Sequence, residues 1–314
     1  MKLVETHAHL DHPKFADDLP ALIQRAHDAG VTRIISIGTG LESSRSVLAL
    51  AERFPSVFVA IGIHPTEIDD EKGDFISALR ELARHPKVVA IGEIGIDYFH
   101  QPSNSTETAN SCVAPVLGSS STSCKLRACA PSAPYSSSVS ANLKAGEAIG
   151  TKSLWKKNQA SAFQQQLDLA VELGLNVIIH QRDVAGSNAA WEETLRILKP
   201  YTGKLRAVFH CFGGTPEQAA KVIALGHLVS FTGIVTFKNA PLVRATVAAI
   251  PADAYMVETD CPYLAPDPYR GQRAEPWHTR LVAEKIAQIR GLTLEEVAMS
   301  TTKTAEEFFA FSLK

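Results

Sequence analysis

Short hydrophobic runs rich in β-branched residues alternate along this chain with longer stretches in which apolar residues recur with a helical period. The runs have the length of buried strands, and there are eight of them: KLVETHAH, RIISIG, VFVAIGIH, VVAIGEIGI, NVIIH, AVFHCF, LVSFTG and AYMVETD. Amphipathic helices are predicted between them, including residues 18–30, residues 217–226 and the stretch that ends at Gly174. Each of these three stretches finishes on a glycine, as helices often do.

Strands that alternate with helices favour parallel pairing through right-handed crossovers. Eight such strands are the number that closes a barrel. We therefore predict an α/β protein with the (β/α)₈ architecture of a TIM barrel. An open, doubly wound sheet is the alternative.

Residues 101–158 interrupt the alternation after the fourth predicted strand. This segment contains thirteen serines and only two aromatic residues, and its six lysines and arginines against two glutamates give it a net charge of +4. Low hydrophobicity together with serine, proline and alanine is typical of disorder. We predict a disordered or irregular, basic insertion within a single domain that spans residues 1–314. A lid or a basic contact arm is the alternative for this segment.

The overall composition is that of a globular protein, with 45% hydrophobic residues, 20% charged residues and a formal net charge of −2. This charge excludes binding of nucleic acid or membranes through bulk electrostatics, so a polyanionic substrate requires a local positive site. No apolar run reaches the length of ~18 residues that a membrane span needs, and the N-terminus lacks a signal pattern. We expect a cytoplasmic protein without a membrane anchor. We also expect a monomer, since no long exposed apolar helix stands out.

Residues of the kinds that bind metal ions stand at the carboxyl ends of five of the eight predicted strands. His7 and His9 are two positions apart, so they share one face of the first strand. The others follow on the fourth, fifth, sixth and eighth strands: Glu93, His180, His210 and Asp260. In a barrel these strand ends surround one mouth, where barrel enzymes build their sites. We predict that the six residues meet as a metal centre, although each alone could be a core histidine or a capping carboxylate.

Four histidines and two carboxylates form a donor set that suits Zn²⁺, Mn²⁺, Co²⁺ or Fe²⁺ better than Mg²⁺ alone. Six donors exceed the four ligands of one tetrahedral ion, and a carboxylate can bridge two ions, as in two-metal ester hydrolysis. Glu5 and Glu258 lie two residues before His7 and Asp260. We expect each of them to face the same side as its neighbour and to accept an imidazole N–H.

Further polar residues gather at the same predicted rim: His64 at the end of the third strand, Arg182 after the fifth, and Arg270 and Arg273 after the eighth. A guanidinium group binds phosphate through two parallel hydrogen bonds. The arginines therefore predict local affinity for a polyanion, with solvated loop arginines as the alternative. The other histidines are expected at surface or capping positions: His12, His27, His85, His100, His227 and His278.

Seven segments, in order THAHLDH, GIHP, GEIGIDY, IIHQRD, HCFGGT, ETDCPYLAP and RGQRAEP, resemble the TatD family of metal-dependent hydrolases within the amidohydrolase-like barrels. The resemblance covers the chain except for about residues 101–158. It implies one divalent ion (Mg²⁺, Mn²⁺ or Zn²⁺) held by His7, His9, Glu93 and Asp260, and a second held by Glu93, His180 and His210. One departure is Ala274, which stands where the family usually has asparagine. The insertion directly after GIDY is another.

Members of this family act as deoxyribonucleases, commonly as 3′→5′ exonucleases on single-stranded DNA, so the resemblance implies hydrolysis of phosphodiester bonds in DNA. In that reaction Glu93 bridges the metal ions and Asp260 accepts the proton of the nucleophile. Arg182, with Arg270 or Arg273, neutralises the phosphate, and His64 hydrogen-bonds to a phosphate oxygen or the leaving group.

Two other functions stay open at this point. The first is hydrolysis of a small ester, amide or phosphoester on the same barrel, and the second is a catalytically impaired barrel that only binds metal or nucleic acid. Many amidohydrolase-like relatives carry a modified lysine on the fourth strand. Glu93 in that place favours the deoxyribonuclease branch.

Overall fold

The computed structural model describes residues 1–71, 73–101 and 140–311, with the backbone alone for residues 140–153. Two compact units are present, one formed by Met1–His100 with Lys157–Lys314 and the other by Gln101–Lys156. The first unit contains every residue of the predicted site. We predicted that the insertion is irregular, and its residues 102–139 lie outside the described part of the chain.

A single parallel sheet runs through the first unit with its strands in sequential order. A parallel bridge between Ala8 and Cys261 brings the segment after the last strand beside the first strand, so the sheet is a nearly closed barrel. This confirms the predicted TIM barrel. The strands of the described residues are β1 (Leu3–Ala8), β2 (Val31–Ile37), β3 (Val57–Ile61), β4 (Val88–Asp97), β5 (Asn176–Arg182), β6 (Ala207–Phe209), β7 (Leu228–Phe231) and β8 (Tyr255–Val257).

A helix follows each strand, and one further helix ends the described chain. Their bounds are α1 (Leu19–Asp28), α2 (Leu41–Arg53), α3 (Phe75–Leu82), α4 (Ser140–Leu173), α5 (Ala189–Leu198), α6 (Pro216–Ala224), α7 (Pro241–Ala249), α8 (Thr279–Arg290) and α9 (Leu294–Phe309). The three helices predicted from periodicity are confirmed as α1, α4 and α6. None of the described helices combines the length and hydrophobicity that a membrane crossing requires.

The start of α4 differs from the sequence expectation. Residues 140–158, which we expected to belong to an irregular insertion, form the first half of this helix. The serine-rich composition that favoured disorder ends near residue 140, and alanine, leucine, lysine and glutamate dominate the following segment. These are strong helix formers, so the helical preference of the last third was masked by averaging over the whole segment.

The amino-terminal mouth of the barrel is filled with apolar side chains. Helix α9 packs there against β1 and β8, and its side chains share one buried cluster with residues of the strands: Val4, Ile35, Ile37, Ala60, Val89, Ala90, Ile178, Val208, Leu228, Met256, Ala305, Phe308 and Phe309. This packing leaves the opposite, carboxyl-terminal mouth for polar chemistry.

Two buried glutamines on α4 hold the strand ends that carry site residues. The Gln159 side chain accepts a hydrogen bond from the main-chain N–H of Asp97 (3.0 Å) and donates one to its carbonyl (3.0 Å). Gln166 bonds in the same way to Ile63, the residue before His64, at 2.7 and 3.2 Å. An amide side chain can serve both main-chain groups at once, so α4 fixes the ends of β3 and β4.

Two histidines outside the predicted site are buried, His227 and His278, each about 2% exposed. His278 has the expected capping role, since its Nδ1 accepts a hydrogen bond from the Glu275 N–H. The expectation of a surface or capping position is wrong for His227, whose Nδ1 accepts a hydrogen bond from the Ala207 N–H of β6. Burial lowers the pKa of both imidazoles to about 4.

Acidification is expected to destabilise the fold through these two groups. In the folded protein their pKa lies below the unfolded value of 6.5. Above pH 6.5 these groups therefore cost no stability. As the pH falls from 6.5 towards about 4, the free energy of unfolding decreases by about 1.4 kcal/mol per pH unit for each histidine. Urea titrations at pH 7, 5.5 and 4.5 will measure this loss. His227→Gln should flatten the pH dependence and His27→Gln, at an exposed position, should not. Equal slopes for His227→Gln and the wild type would contradict the assignment.

Candidate metal centre

The carboxyl-terminal mouth of the barrel brings together all six residues that the sequence analysis placed in a metal centre. His7 lies on β1 and His9 follows its end, Glu93 lies on β4 and His180 on β5. His210 follows β6 directly, and Asp260 follows β8. Asp260 has a left-handed backbone conformation, with φ of 60°, which aspartate tolerates better than most residues.

Glu93 lies at the centre of the cluster. Its Oε1 is 2.8 Å from His180 Nδ1 and 2.6 Å from His210 Nε2, while its Oε2 is 3.4 Å from His7 Nε2. The two carboxylate oxygens therefore face two different groups of donors, the arrangement that a bridging ligand requires.

The first group of donors consists of His7, His9 and Asp260, whose ligand atoms all lie within 4.8 Å of one another. The His9 Nε2 to Asp260 Oδ1 distance is 3.2 Å. Both ring nitrogens of the buried His7 lack a hydrogen-bond partner among the described residues. Two donors on one tetrahedral ion at ordinary zinc distances lie roughly 3.3 Å apart. The spacing and the unsatisfied imidazole of His7 therefore fit a bound cation.

The second group surrounds Glu93 Oε1. His180 Nδ1 and His210 Nε2 are 3.4 Å apart, which is again the separation expected for two ligands of one ion. His64 Nε2 lies 3.8 Å from the same oxygen, and the ligand atoms of His64, Glu93 and His180 lie within 4.8 Å of one another. His64, which we expected to contact substrate, is thus also close enough to belong to the donor cluster.

Carboxylates behind the cluster contact its histidines. Glu258 Oε1 is 3.5 Å from His210 Nδ1 and also accepts the main-chain N–H of Cys211. The expectation for Glu5 is wrong, because its Oε1 accepts the main-chain N–H groups of His7 and Thr259 instead of an imidazole N–H. Glu5 therefore braces the backbone of the first strand.

Asp97 is a site residue that the sequence analysis missed. Its Oδ2 lies 3.1 Å from His180 Nε2. Asp97 is four residues beyond Glu93, and an even spacing along a strand places two side chains on the same face. The alternation of side chains that places His7 and His9 on one face therefore also predicts Asp97 on the face of Glu93.

The cluster keeps its acidic groups ionised. Burial would raise the pKa of Glu93, but His210 and His7 outweigh it and hold that pKa well below its usual value. Asp260 follows the same pattern: burial would raise its pKa, but the hydrogen bond with His9 and the charges of His7, His9 and His210 together lower it. Burial and the proximity of His180 lower the pKa of His64 to about 3. Burial would lower the pKa of His9, His180 and His210, but the neighbouring carboxylates outweigh it and raise the pKa of these three imidazoles. Because metal binding needs neutral imidazoles, a cation that binds here displaces their protons.

The three rim arginines have different surroundings. The guanidinium groups of the exposed Arg182 and Arg270 stack on aromatic rings, 4.1 Å from the Phe99 centroid and 3.9 Å from the Phe237 centroid. Stacking leaves the N–H edge of a guanidinium available for an anion. Arg273 instead bonds to two carboxylates, at 2.8 Å from Asp18 and 2.6 Å from Glu275, and also donates to the Lys14 carbonyl. The structure therefore places Arg273 in a salt-bridge network of the loops.

Comparison with known proteins identifies relatives over the full length of the chain. The sequence profile described as "TatD related DNase" matches residues 4–118 and 148–310. A metal-dependent hydrolase of Bacillus subtilis named YabD is 32% identical over 308 residues, 98% of each chain. A protein of Erwinia tasmaniensis named "3′-5′ ssDNA/RNA exonuclease TatD" is 30% identical over 307 residues, 96% of each chain. Among solved structures, YJJV, a TatD homologue of Escherichia coli K12, superposes with a TM-score of 0.76 at 26% identity, covering 98% of both chains.

Proposed function

This chain belongs to the TatD-related DNase family of metal-dependent hydrolases, and we propose that its substrate is DNA, whose phosphodiester bonds it cleaves with two divalent metal ions. The observation that carries this proposal is the position of Glu93, whose two oxygens face two separate groups of donors. The name of the Erwinia relative supports 3′→5′ cleavage of single strands as the specific reaction.

The donors divide into two sets in this proposal. His7, His9 and Asp260 would hold one ion, His180 and His210 the other, and Glu93 both. When bound, Mg²⁺, Mn²⁺ or Zn²⁺ supplies Lewis-acid polarisation of the phosphate and a water acidic enough to act as nucleophile near neutral pH.

The remaining tasks fall to side chains around the two sets. Asp260 orients the attacking water and accepts its proton. Arg182 and Arg270 neutralise the phosphate charge that grows in the transition state, and His64 Nε2 bonds to a phosphate oxygen or the leaving group. Arg273 is left out of this role because Asp18 and Glu275 already bind its guanidinium.

A defined oligonucleotide tests the proposal. Single-stranded DNA labelled at its 5′ end is incubated with protein of measured metal content, and a ladder shortened from the 3′ end is expected. Small aryl esters and phosphodiesters are assayed in parallel. If small esters are hydrolysed and the oligonucleotide stays intact, the protein is a hydrolase of another class. If no substrate is hydrolysed, the proposal is rejected.

Removing the Arg270 guanidinium is expected to weaken binding of DNA selectively. Arg270→Ala should raise the KM for single-stranded DNA about 10-fold, the effect of one lost charge-assisted hydrogen bond, and reduce its salt dependence by about one phosphate contact. Metal content should not change. Arg53→Ala is a matched control, because Arg53 also stacks on a phenylalanine (5.4 Å from the Phe54 centroid) but at the end of α2. Equal KM values for Arg270→Ala and Arg53→Ala would contradict the role of Arg270.

A further inference from the structure

The carboxylate of Asp97 is fully buried and is surrounded by hydrogen-bond donors. Its Oδ1 accepts the main-chain N–H groups of Phe99 and His100, each at 2.8 Å. Its Oδ2 lies 2.7 Å from His100 Nδ1 and 3.1 Å from His180 Nε2. The two oxygens therefore have separate partners, the loop backbone for Oδ1 and two imidazole rings for Oδ2.

The contact with Oδ2 keeps a proton on Nε2 of His180. A carboxylate oxygen only accepts hydrogen bonds, so a hydrogen bond at this distance requires His180 Nε2 to be the N–H donor. The other nitrogen, Nδ1, faces the Glu93 carboxylate and by the same rule also carries a proton when no cation is bound. A cation that binds beside Glu93 replaces the proton of Nδ1, while Nε2 keeps its proton for Asp97. Nδ1 lies 2.8 Å from Glu93 Oε1 and 3.4 Å from His210 Nε2.

The position of Asp97 is itself fixed by its main chain, through the two hydrogen bonds with the buried Gln159 described above. From this geometry we propose that Asp97 is a positioning residue, which holds His180 in the tautomer and ring orientation that present Nδ1 as a metal ligand. This inference rests on the proposed metal centre. Removing such an outer partner of a metal-binding histidine typically weakens metal affinity 10–100-fold.

The isosteric variant Asp97→Asn separates this role from a structural one. An asparagine whose carbonyl oxygen replaces Oδ1 still accepts the loop N–H groups, but it places an NH₂ donor opposite His180 Nε2. That donor requires the other tautomer, in which Nδ1 carries the proton and cannot bind metal. His100→Ala is the matched control, since it removes the other ring at Oδ2 and leaves the contact between Asp97 and His180 in place.

Metal binding is measured directly, by calorimetric titration of the metal-free full chain with Zn²⁺ and Mn²⁺. We expect Asp97→Asn to lower the affinity of one ion about 10–100-fold, with His100→Ala within a few-fold of the wild type. Asp97→Asn also removes a buried charge that His180 and His100 stabilise, so the metal-free thermal midpoint is measured separately and metal affinity is compared under conditions in which both proteins are fully folded. Long-range ¹H–¹⁵N spectra of the zinc-loaded wild type should show His180 with a proton on Nε2 and the metal on Nδ1.

Two results would overturn the inference. One is wild-type metal affinity in Asp97→Asn, and the other is a lower metal-free thermal midpoint with unchanged affinity, which would make Asp97 a loop cap only. A failure of the proposed function gives a different pattern. In that case the wild type binds metal and responds to Asp97→Asn as described, but no oligonucleotide is cleaved.

Discussion

Glu93→Gln is expected to abolish hydrolysis while the barrel stays folded. The amide has the shape of the carboxylate, but it lacks the negative charge and replaces one acceptor oxygen with a donor among His7, His180 and His210. The two groups of metal-binding residues would then no longer share a negatively charged ligand. Since the Lewis-acid contribution of bound metal is worth several kcal/mol, we expect a loss of at least about 10³-fold in kcat.

The measurement combines kcat on labelled single-stranded DNA, metal content by mass spectrometry and circular dichroism. Glu42→Gln provides the control, because Glu42 is exposed in the first turn of α2 and the charge change is the same. Retention of both full activity and full metal content in Glu93→Gln would refute the bridging role. Lost activity with full metal content would limit Glu93 to catalysis alone.

Local periodicity was sufficient to predict the barrel, because burial imposes a period of two on strands and of about 3.6 on helices. The same local signal predicted which residues meet at the candidate metal centre. Strand ends in a parallel barrel meet at one mouth whatever their separation in sequence, so His7 and Asp260 could be placed together without knowledge of any contact between them.

The partners of individual side chains could not be predicted in this way. Arg273 follows the eighth strand as a phosphate-binding residue would, yet it is held by Asp18, 255 residues earlier in the sequence. Glu5 has the correct parity for an imidazole contact but bonds to main-chain N–H groups of β1 and of the segment after β8. These choices depend on distances across the folded barrel, and no local pattern encodes them.

Gly95→Ala is expected to destabilise both the barrel and the candidate metal centre. The residue lies on β4 between Glu93 and Asp97 with φ of +142°, a backbone conformation that side chains rarely adopt. An added Cβ would overlap the main-chain carbonyl oxygen of His180. That oxygen belongs to the paired strand β5, where Gly95 is in register with His180, so neither strand can move without disrupting the sheet.

We expect Gly95→Ala to lower the free energy of unfolding by about 4 kcal/mol or more, in the range of severe backbone and packing defects, or to prevent folding. Gly213→Ala is the control, since a Cβ there meets nothing within 4 Å and should leave stability nearly unchanged. Soluble yield and denaturant titrations of the metal-free proteins give the comparison. A Gly95→Ala protein as stable as the wild type would contradict it.

The absence of a side chain at Gly95 also has a consequence for the ligands. It lets β5 approach β4 so closely that both ring nitrogens of His180 contact carboxylates of β4. Nδ1 lies beside Glu93 and Nε2 beside Asp97. If some Gly95→Ala protein folds, β5 must have moved away, and both contacts lengthen together. Metal affinity measured on that folded fraction should therefore fall even under conditions in which unfolding is negligible, and unchanged affinity would show that the close pairing serves the fold alone.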